Sequence, residues 1–309
     1  MDVKQLKALV MVAETGSVTR AAELLHLVQP AVTRQIRALE HELGVALFDR
    51  TRHGMRPTAA GLSLADRARR ALTELDRARA ELMVAPGSVA GIVSVGLLES
   101  TAELLSGPLV SAVRRRHPGI ELRVLSAYSG HLQQWLDDGD VDLTLLYNLE
   151  STSSLQVRPL VREKLWVVAP ATAGLRADRP VTVADAASRP LVLPTPGHGL
   201  RTLIDRALAP VRDDVEVTVQ TNAMGIQKRL VQEGYGWTIL PGAGLTADVA
   251  AGSLSAAPLT EPEVWRTIVL GLPRAGRVTP AVEAVAQQLA AQVHATARHG
   301  QWMSAEAAR

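Results

Sequence analysis

Leu64, Ala68, Ala71, Leu75, Ala78, Leu82 and Ala85 recur at intervals of 4, 3, 4, 3, 4 and 3 residues. A heptad stripe of this length, with arginines and acids on the other faces, requires one long helix and asks for a second helix to cover its seam. Thr58 is placed to cap it, and a helix from there to about Ala85 is about 40 Å long at ~1.5 Å per residue. So long a helix overhangs any headpiece built from the residues before it. A dimer seam at Leu64, Ala68, Ala71, Leu75, Ala78 and Leu82 is therefore expected, with alanines allowing close approach. An amphipathic helix lying on its own domain is the competing reading.

The stripe also divides the chain. Residues 1 to about 57 are helical in pattern, and from Gly91 onward strand-like and helix-like runs alternate. Pro86-Gly87-Ser88 cannot comfortably continue a helix and marks the main boundary. At 309 residues, 47% hydrophobic and 21% charged, the chain has material for about two globular domains. A net charge of +2 draws the whole molecule to neither nucleic acid nor membrane, so any such preference is local. Zero cysteines exclude disulfides, thiolate metal sites, iron–sulfur clusters and a cysteine nucleophile. Amphipathic sequence follows Met1 directly, without the basic and apolar regions of an export signal. The most apolar stretch, Ile239 to Leu259, is broken by Pro241, Asp248 and several glycines. A cytoplasmic protein without membrane spans is expected.

In the first segment Leu6, Leu9, Val10 and Ala13 share a helical face, and Gly16-Ser17 supplies a stop and the next N-cap. A second helix runs from Val18 to Leu25. A third begins at Gln29-Pro30, with proline at a position that suits it, and ends at Gly44. Val32, Ile36, Leu39 and Leu43 of this third helix must face the core, leaving Thr33, Arg34 and Arg37 outside. The outline is a helix-turn-helix, whose second helix offers its N-terminal side chains to base edges in the major groove. Gln29, Pro30, Thr33, Arg34 and Arg37 lie where that contact is made, although a solvated polar face has the same spacing. Two short extended runs between Val45 and Pro57 then flank a basic turn, reading as a wing. Its Arg50, Arg52 and Arg56 would meet phosphates, which position a protein without specifying sequence.

Gly16-Ser17-Val18-Thr19-Arg20-Ala21-Ala22, Leu25, Gln29-Pro30-Ala31-Val32-Thr33-Arg34-Gln35-Ile36, Leu39-Glu40, Leu43-Gly44, Leu47-Phe48-Asp49-Arg50 and Pro57-Thr58-Ala59-Ala60-Gly61 together resemble the winged helix-turn-helix signature of LysR-type transcriptional regulators. Leu9 stands where that family often has Phe, and Thr33 where it usually has Ser. The resemblance implies a sequence-specific regulator that binds double-stranded operator DNA through Gln29, Thr33 and Arg34. It further implies paired linker helices, a homodimer or a tetramer of two dimers, and RNA polymerase as a candidate partner.

From Gly91 the coarse order is strand (Ile92 to Leu98), helix (about Ala102 to Arg116, restarted at Pro108), strand (Ile120 to Ala127), helix (about Gly130 to Asp138) and strand (Val141 to Tyr147). Strands near Gln156 to Leu160 and Lys164 to Ala169 follow, then Leu191 to Leu193, a helix from His198, strand Val215 to Gln220, helix Ala223 to Glu233, strand Trp237 to Leu240, strand Thr267 to Leu272 and a helix from Pro280 to about Arg298. The pattern is α/β. Gly91-Ile92-Val93-Ser94-Val95-Gly96-Leu97, Gly139-Asp140-Val141-Asp142-Leu143 and Gly234-Tyr235-Gly236-Trp237-Thr238-Ile239-Leu240-Pro241 are similar to landmarks of the family's effector module. That likeness implies two periplasmic-binding-protein-like lobes joined by crossovers near Leu160 to Lys164 and Val264 to Thr267, with a ligand cleft between them. Leu145-Leu146-Tyr147 and Leu193-Pro194 with His198-Gly199-Leu200-Arg201 resemble the nitrogen assimilation control branch.

Ligands of open α/β sheets bind beyond strand carboxyl ends, where helix N-termini offer free N–H groups. Those positions hold Ser100, Thr101, Tyr128, Ser129, Tyr147, Asn148, Thr195, His198, Gly199 and Asn222, a polar set suited to a small, anionic effector. Each of the Ser, Thr and Asn residues also serves as an ordinary helix cap. Gly242-Ala243-Gly244-Leu245-Thr246-Ala247, with Glu261 downstream, matches a dinucleotide fingerprint and supports an alternative, an NAD-binding enzyme fused to a DNA-binding head. Neither HExxH spacing, a Walker loop nor a G-x-S-x-G elbow is present, so no catalytic residue, metal or cofactor is assigned. The expected architecture is α/β with an N-terminal all-α-plus-wing head: a winged helix-turn-helix at 1–57, a linker dimerisation helix at 58–86, a two-lobed effector domain at 88–298 and a tail at 299–309, read as a candidate for disorder.

Overall fold

The computed structural model describes residues 1–52, 54–82, 89–274 and 278–308. The chain divides into two compact units, Met1–Ala85 and Pro86–Arg309.

The first unit comprises α1 (Val3–Thr15), α2 (Val18–Leu24), α3 (Gln29–Leu43), the hairpin β1 (Phe48–Thr51) and β2 (Gly54–Pro57), and α4 (Ala59–Leu82). Local chemistry sets the helix ends. Asp2 and Gln5 form a reciprocal capping box on α1, and Gly16, left-handed at φ 63°, ends it with an N–H to the Val12 carbonyl. The Ser17 side chain caps α2 and Gly44 ends α3 at φ 69°. Leu9, Val12, Ala21, Val32, Ile36, Leu39 and Leu47 make the core. Leu43, expected on the same stripe, is 40% exposed, because the last turn of α3 runs past this small core.

In the second unit β3 (Ala90–Leu98), α5 (Glu99–Arg116), β4 (Gly119–Ala127), α6 (Ser129–Asp138) and β5 (Leu143–Tyr147) form the expected βαβαβ run, β3 pairing parallel with both β4 and β5. Helix α5 is continuous through Pro108 rather than restarted there. Gly107 and Pro108 lie on its exposed face, where the proline ring meets no packed neighbour. The two strands expected between Gln156 and Ala169 are one, β6 (Leu155–Pro170), of 16 residues.

The remaining elements are β7 (Val181–Thr182), α7 (Val183–Ala187), β8 (Leu191–Leu193), α8 (Gly199–Leu208), β9 (Val217–Gln220), α9 (Met224–Gln232), β10 (Thr238–Pro241), α10 (Thr246–Ala250), β11 (Leu254–Thr260), β12 (Trp265–Pro273), α11 (Pro280–Arg298) and β13 (Ala305–Ala307). The main sheet runs β4-β3-β5-β12-β6-β11-β7, with β10 and β13 also on β6. The first part of β6 pairs with β12, and residues 165–170 pair with β10 and β11. One strand thus belongs to two lobes, each with its own core: Val95, Leu105, Leu145 and Val285 in the first, Val167, Leu193, Ile204 and Ile239 in the second. Strand β11 was not anticipated, since its apolar sequence merges with that of β10. The segment after α11 is ordered rather than disordered: Trp302 is 2% exposed and β13 pairs with β6. The linker Pro86-Gly87-Ser88 and the wing-turn His53 lie outside the described residues.

Candidate nucleic-acid interface and ligand cleft

Helix α3 and the wing build one concave surface, lined by Gln29, Pro30, Thr33, Arg34, Arg37, Ala38 and Arg50. Arg34, Arg37 and Arg50 are exposed. The wing is held in place by backbone groups. Glu40 on α3 accepts from the amides of Leu47 (2.8 Å) and Phe48 (3.2 Å), and the Met55 amide donates to the Gly16 carbonyl (2.8 Å). At Gly54, φ 126°, a Cβ would lie 2.3 Å from that same carbonyl oxygen, so only glycine fits. In the hairpin Arg50 opposes Met55 and Arg56 opposes Asp49, which puts Arg50 and Arg56 on opposite faces. The expected trio of wing arginines therefore does not form one cluster. Arg50 joins the α3 surface, Arg52 lies in the turn, and Arg56 faces away.

The heptad stripe of α4 splits between two tasks. Ala65 and Ala68 are buried in the head core, and Leu64 and Leu72 pack against it. Gly61 makes this approach close, since a Cβ there would stand 2.0 Å from the Leu47 carbonyl oxygen. Leu64 and Ala68 are thus used within the head, correcting their assignment to the seam. Ala71, Leu75 and Ala78 remain exposed, Leu75 at 48%. The side chain of Leu82 and the residue Ala85 lie outside what is described.

In the second unit a pocket of about 420 Å³, including its open mouth, lies where β3, β5, β8 and β10 end. Ser100, Tyr128, Ser129, Tyr147, His198 and Asn222 line it, as expected. Thr101, Asn148, Thr195 and Gly199 do not. Thr101 is fully buried and donates to the Leu98 carbonyl. Asn148 adopts φ 52° and its Oδ1 accepts from the Thr267 amide at 2.8 Å. Thr195 accepts the His198 amide through its carbonyl, and Gly199 packs against Tyr147 from outside the lining. These are cap and packing roles.

The dominant group is one that sequence reasoning missed. Arg266, 3% exposed, lines the pocket; its Nε donates to Glu163 Oε1 (2.9 Å) and its Nη2 to Ser100 Oγ (2.7 Å). Glu163 is fully buried, and its Oε2 accepts from the Ala243 amide (3.0 Å) and Trp302 Nε1 (2.8 Å). A buried pair so fully hydrogen-bonded is tolerable, whereas deleting one partner costs about 3–5 kcal/mol. Arg266 is the one charge in the otherwise uncharged strand β12, the signal that could have exposed it, whereas Glu163 sits between Arg162 and Lys164 and carries no such signal. Glu99 also lines the pocket and its carboxylate accepts the Met224 amide (2.9 Å) at the start of α9.

The neutral donors are set by burial. Tyr147 has a buried hydroxyl without a partner, and burial, partly offset by the Arg266 cation, raises its pKa, so it stays a phenol. His198 caps α8 by accepting the Leu200 amide at Nδ1 (3.1 Å). Burial, then the Arg266 cation, lowers its pKa to about 4, so the ring is neutral near pH 7 with Nε2 as donor. Its ring centroid lies 4.8 Å from that of Tyr128, a contact between the two lobes. Beside the Glu99 carboxylate, which is occupied by the Met224 amide, the pocket thus offers a guanidinium and several neutral donors that can hold an oxyanion.

Both units of the chain match known families. Residues 3–62 match the family described as bacterial regulatory helix-turn-helix protein, lysR family, and residues 86–294 match the LysR substrate binding domain. The chain belongs to the LysR family. It is 32% identical over 302 residues to the HTH-type transcriptional regulator BbuR of Bordetella bronchiseptica, covering 98% of this chain and 93% of that one. It is 28% identical to the nitrogen assimilation regulatory protein nac of Klebsiella aerogenes, covering 94% of each. In fold it is similar to full-length CbnR complexed with its target DNA (TM-score 0.73, 21% identity, 96% of this chain and 100% of that one). The HinK regulator of Pseudomonas aeruginosa is a further likeness (TM-score 0.59, 22% identity, 96% and 99%).

This LysR-type chain is therefore a DNA-binding transcriptional regulator with an effector-binding domain, and nothing supports the NAD-dependent enzyme. Gly242 and Gly244 are filled by the protein itself, a Cβ falling 2.2 Å from the Met303 carbonyl oxygen and 2.8 Å from Met224 Sδ. Strands β10 and β11, which flank the motif, lie on either side of β6 instead of side by side as a dinucleotide-binding βαβ unit needs. Among the described residues no helix is long and apolar enough to cross a membrane.

Proposed function

We propose that this LysR-type regulator reads its operator through Gln29, Thr33, Arg34 and Arg37, with Arg50 on the flanking phosphates, as a cytoplasmic dimer or tetramer seamed by Ala71, Leu75 and Ala78. Its effector is a small anion, a carboxylate above all, held in the cleft by Arg266, Ser100, Tyr147 and Ser129. The observation that carries this reading is the buried hydroxyl of Tyr147, which has no protein partner and belongs to a residue lining the same pocket as Arg266. A buried donor left unsatisfied costs about 1–3 kcal/mol, which an acceptor on a ligand recovers. Regulation follows as a population shift: an effector that prefers one lobe arrangement changes the spacing of the DNA heads in the oligomer.

The test is a thermal-shift screen of the full chain against short aliphatic acids, aromatic acids, amino acids, sulfate, phosphate and NAD. One class of acid should raise the melting temperature in proportion to its logarithmic concentration, and Tyr147→Phe should weaken that rise. Stabilisation by NAD alone, or by no anion at all, would overturn the anionic-effector reading.

A further inference from the structure

The segment 301–307 reaches both lobes and ends on the strand they share. Trp302 is buried in the core of the first lobe, while Met303 packs against the core of the second. Thr246 Oγ1, at the start of α10, donates to the Gln301 carbonyl at 3.1 Å. Gly242 leaves no room for a side chain beneath Met303, so the segment lies tightly on the second lobe. Strand β13 then pairs antiparallel with β6, Ala305 opposite Glu163 and Ala307 opposite Val161.

The residue at that junction is the one that faces the cleft cation. Glu163 accepts Arg266 on one oxygen and Trp302 Nε1 on the other, with the Ala243 amide beside it. The indole is thus two hydrogen bonds from the guanidinium that lines the pocket. A fully buried carboxylate deprived of one of its donors must rotate or relax to recover the bond, and its partner cation follows.

We propose that Trp302 is a positioning residue for the effector cleft: by fixing Glu163 it aims Arg266 at the ligand, although neither Trp302 nor β13 lines the pocket. This rests on the cleft being the effector site. It makes the segment after α11 a third connection between the lobes, additional to β6 and the link from β11 to β12, and the one that reports their arrangement to the cleft charge.

The experiment needs no effector. In the full chain, selectively ring-labelled histidine is followed by NMR against pH, with His198→Asn identifying the His198 resonance. Arg266→Gln removes the nearby cation, and the His198 midpoint should rise from about 4. Trp302→Phe keeps the ring in the core and removes only the N–H; it should shift the midpoint in the same direction by at least about 0.3 pH unit, and in urea its effect should be non-additive with that of Arg266→Gln. A purely structural tryptophan would lower the unfolding midpoint and leave His198 unmoved, which would overturn the proposal. Should Trp302→Phe not fold, Thr246→Val loosens the same segment and is read in the same way, an unmoved His198 again overturning it. Failure here leaves the anionic cleft standing, because that reading is judged by the ligand screen alone.

Discussion

Gly199 stands so close to Tyr147 that a methyl group on its Cα would lie 2.4 Å from the phenol oxygen. The missing side chain at the start of α8 therefore makes the space in which that hydroxyl sits. Gly199→Ala should push the phenol out of register, at about 1–3 kcal/mol of overpacking cost. The expected outcome is a folded protein with a lowered melting temperature whose stabilisation by the effector acid is reduced at least as much as in Tyr147→Phe. Unchanged stabilisation would show that the hydroxyl does not meet the ligand.

Arg34 and Arg50 share one surface but should act differently on DNA. Arg34→Ala should lower the ratio of operator to random-sequence affinity, by about 1–3 kcal/mol of lost base readout. Arg50→Ala should weaken both affinities alike and reduce the salt slope by about 1. Fluorescence anisotropy over a salt series separates the two, and equal effects would remove the division between reading and positioning.

Helix α4 offers a similar contrast along one stripe. Leu75 is exposed and Ala68 is buried in the head. Leu75→Glu should shift the sedimentation profile toward the monomer with the head still folded. Ala68→Leu should overpack the head core by about 1–3 kcal/mol and act first on unfolding. Retention of the oligomer in Leu75→Glu would mean that the copies meet elsewhere.

His198 should make the fold acid-sensitive. Its pKa falls from 6.5 to about 4 on folding, so between those values the unfolded chain binds the extra proton. The stability associated with the neutral ring is present above about pH 6.5 and is lost as pH falls toward 4. His198→Asn keeps an acceptor to cap α8, and its melting temperature should decline less steeply over that window. Parallel curves for the two proteins would assign the acid sensitivity to other groups.

The head was legible because its information is local. Gly16, Ser17, Pro30 and Gly44 punctuate helices within a few residues of where they act, and the core positions of α3 follow one period. Half of the cleft was legible for the same reason, since Ser100, Tyr128, Ser129 and His198 sit at strand-to-helix turns. The Arg266–Glu163 pair was not, because its members come from antiparallel strands 103 residues apart. Trp302 was hidden in a short polar stretch whose order depends on a groove formed by the rest of the fold. The heptad on α4 was real, but periodicity alone cannot say whether a stripe meets its own domain or another chain.

Strand β6 has a further consequence. Between Val161 and Pro159 its ladder with β12 slips by one residue, leaving Leu160 bulged, and the Leu160 carbonyl accepts from the Ala308 amide at 3.2 Å. On either side of the bulge the two strands stay paired, from Pro273 opposite Leu155 to Trp265 opposite Lys164, so the ribbon ends where β6 passes to β10 and β11 of the second lobe. A ribbon resists bending in its plane far more than it resists torsion, and a bulge is where added twist is easily taken up. Torsion applied to β6 from the second lobe would thus be taken up at Leu160, inside the core of the first lobe, while the paired ribbon on either side resists bending.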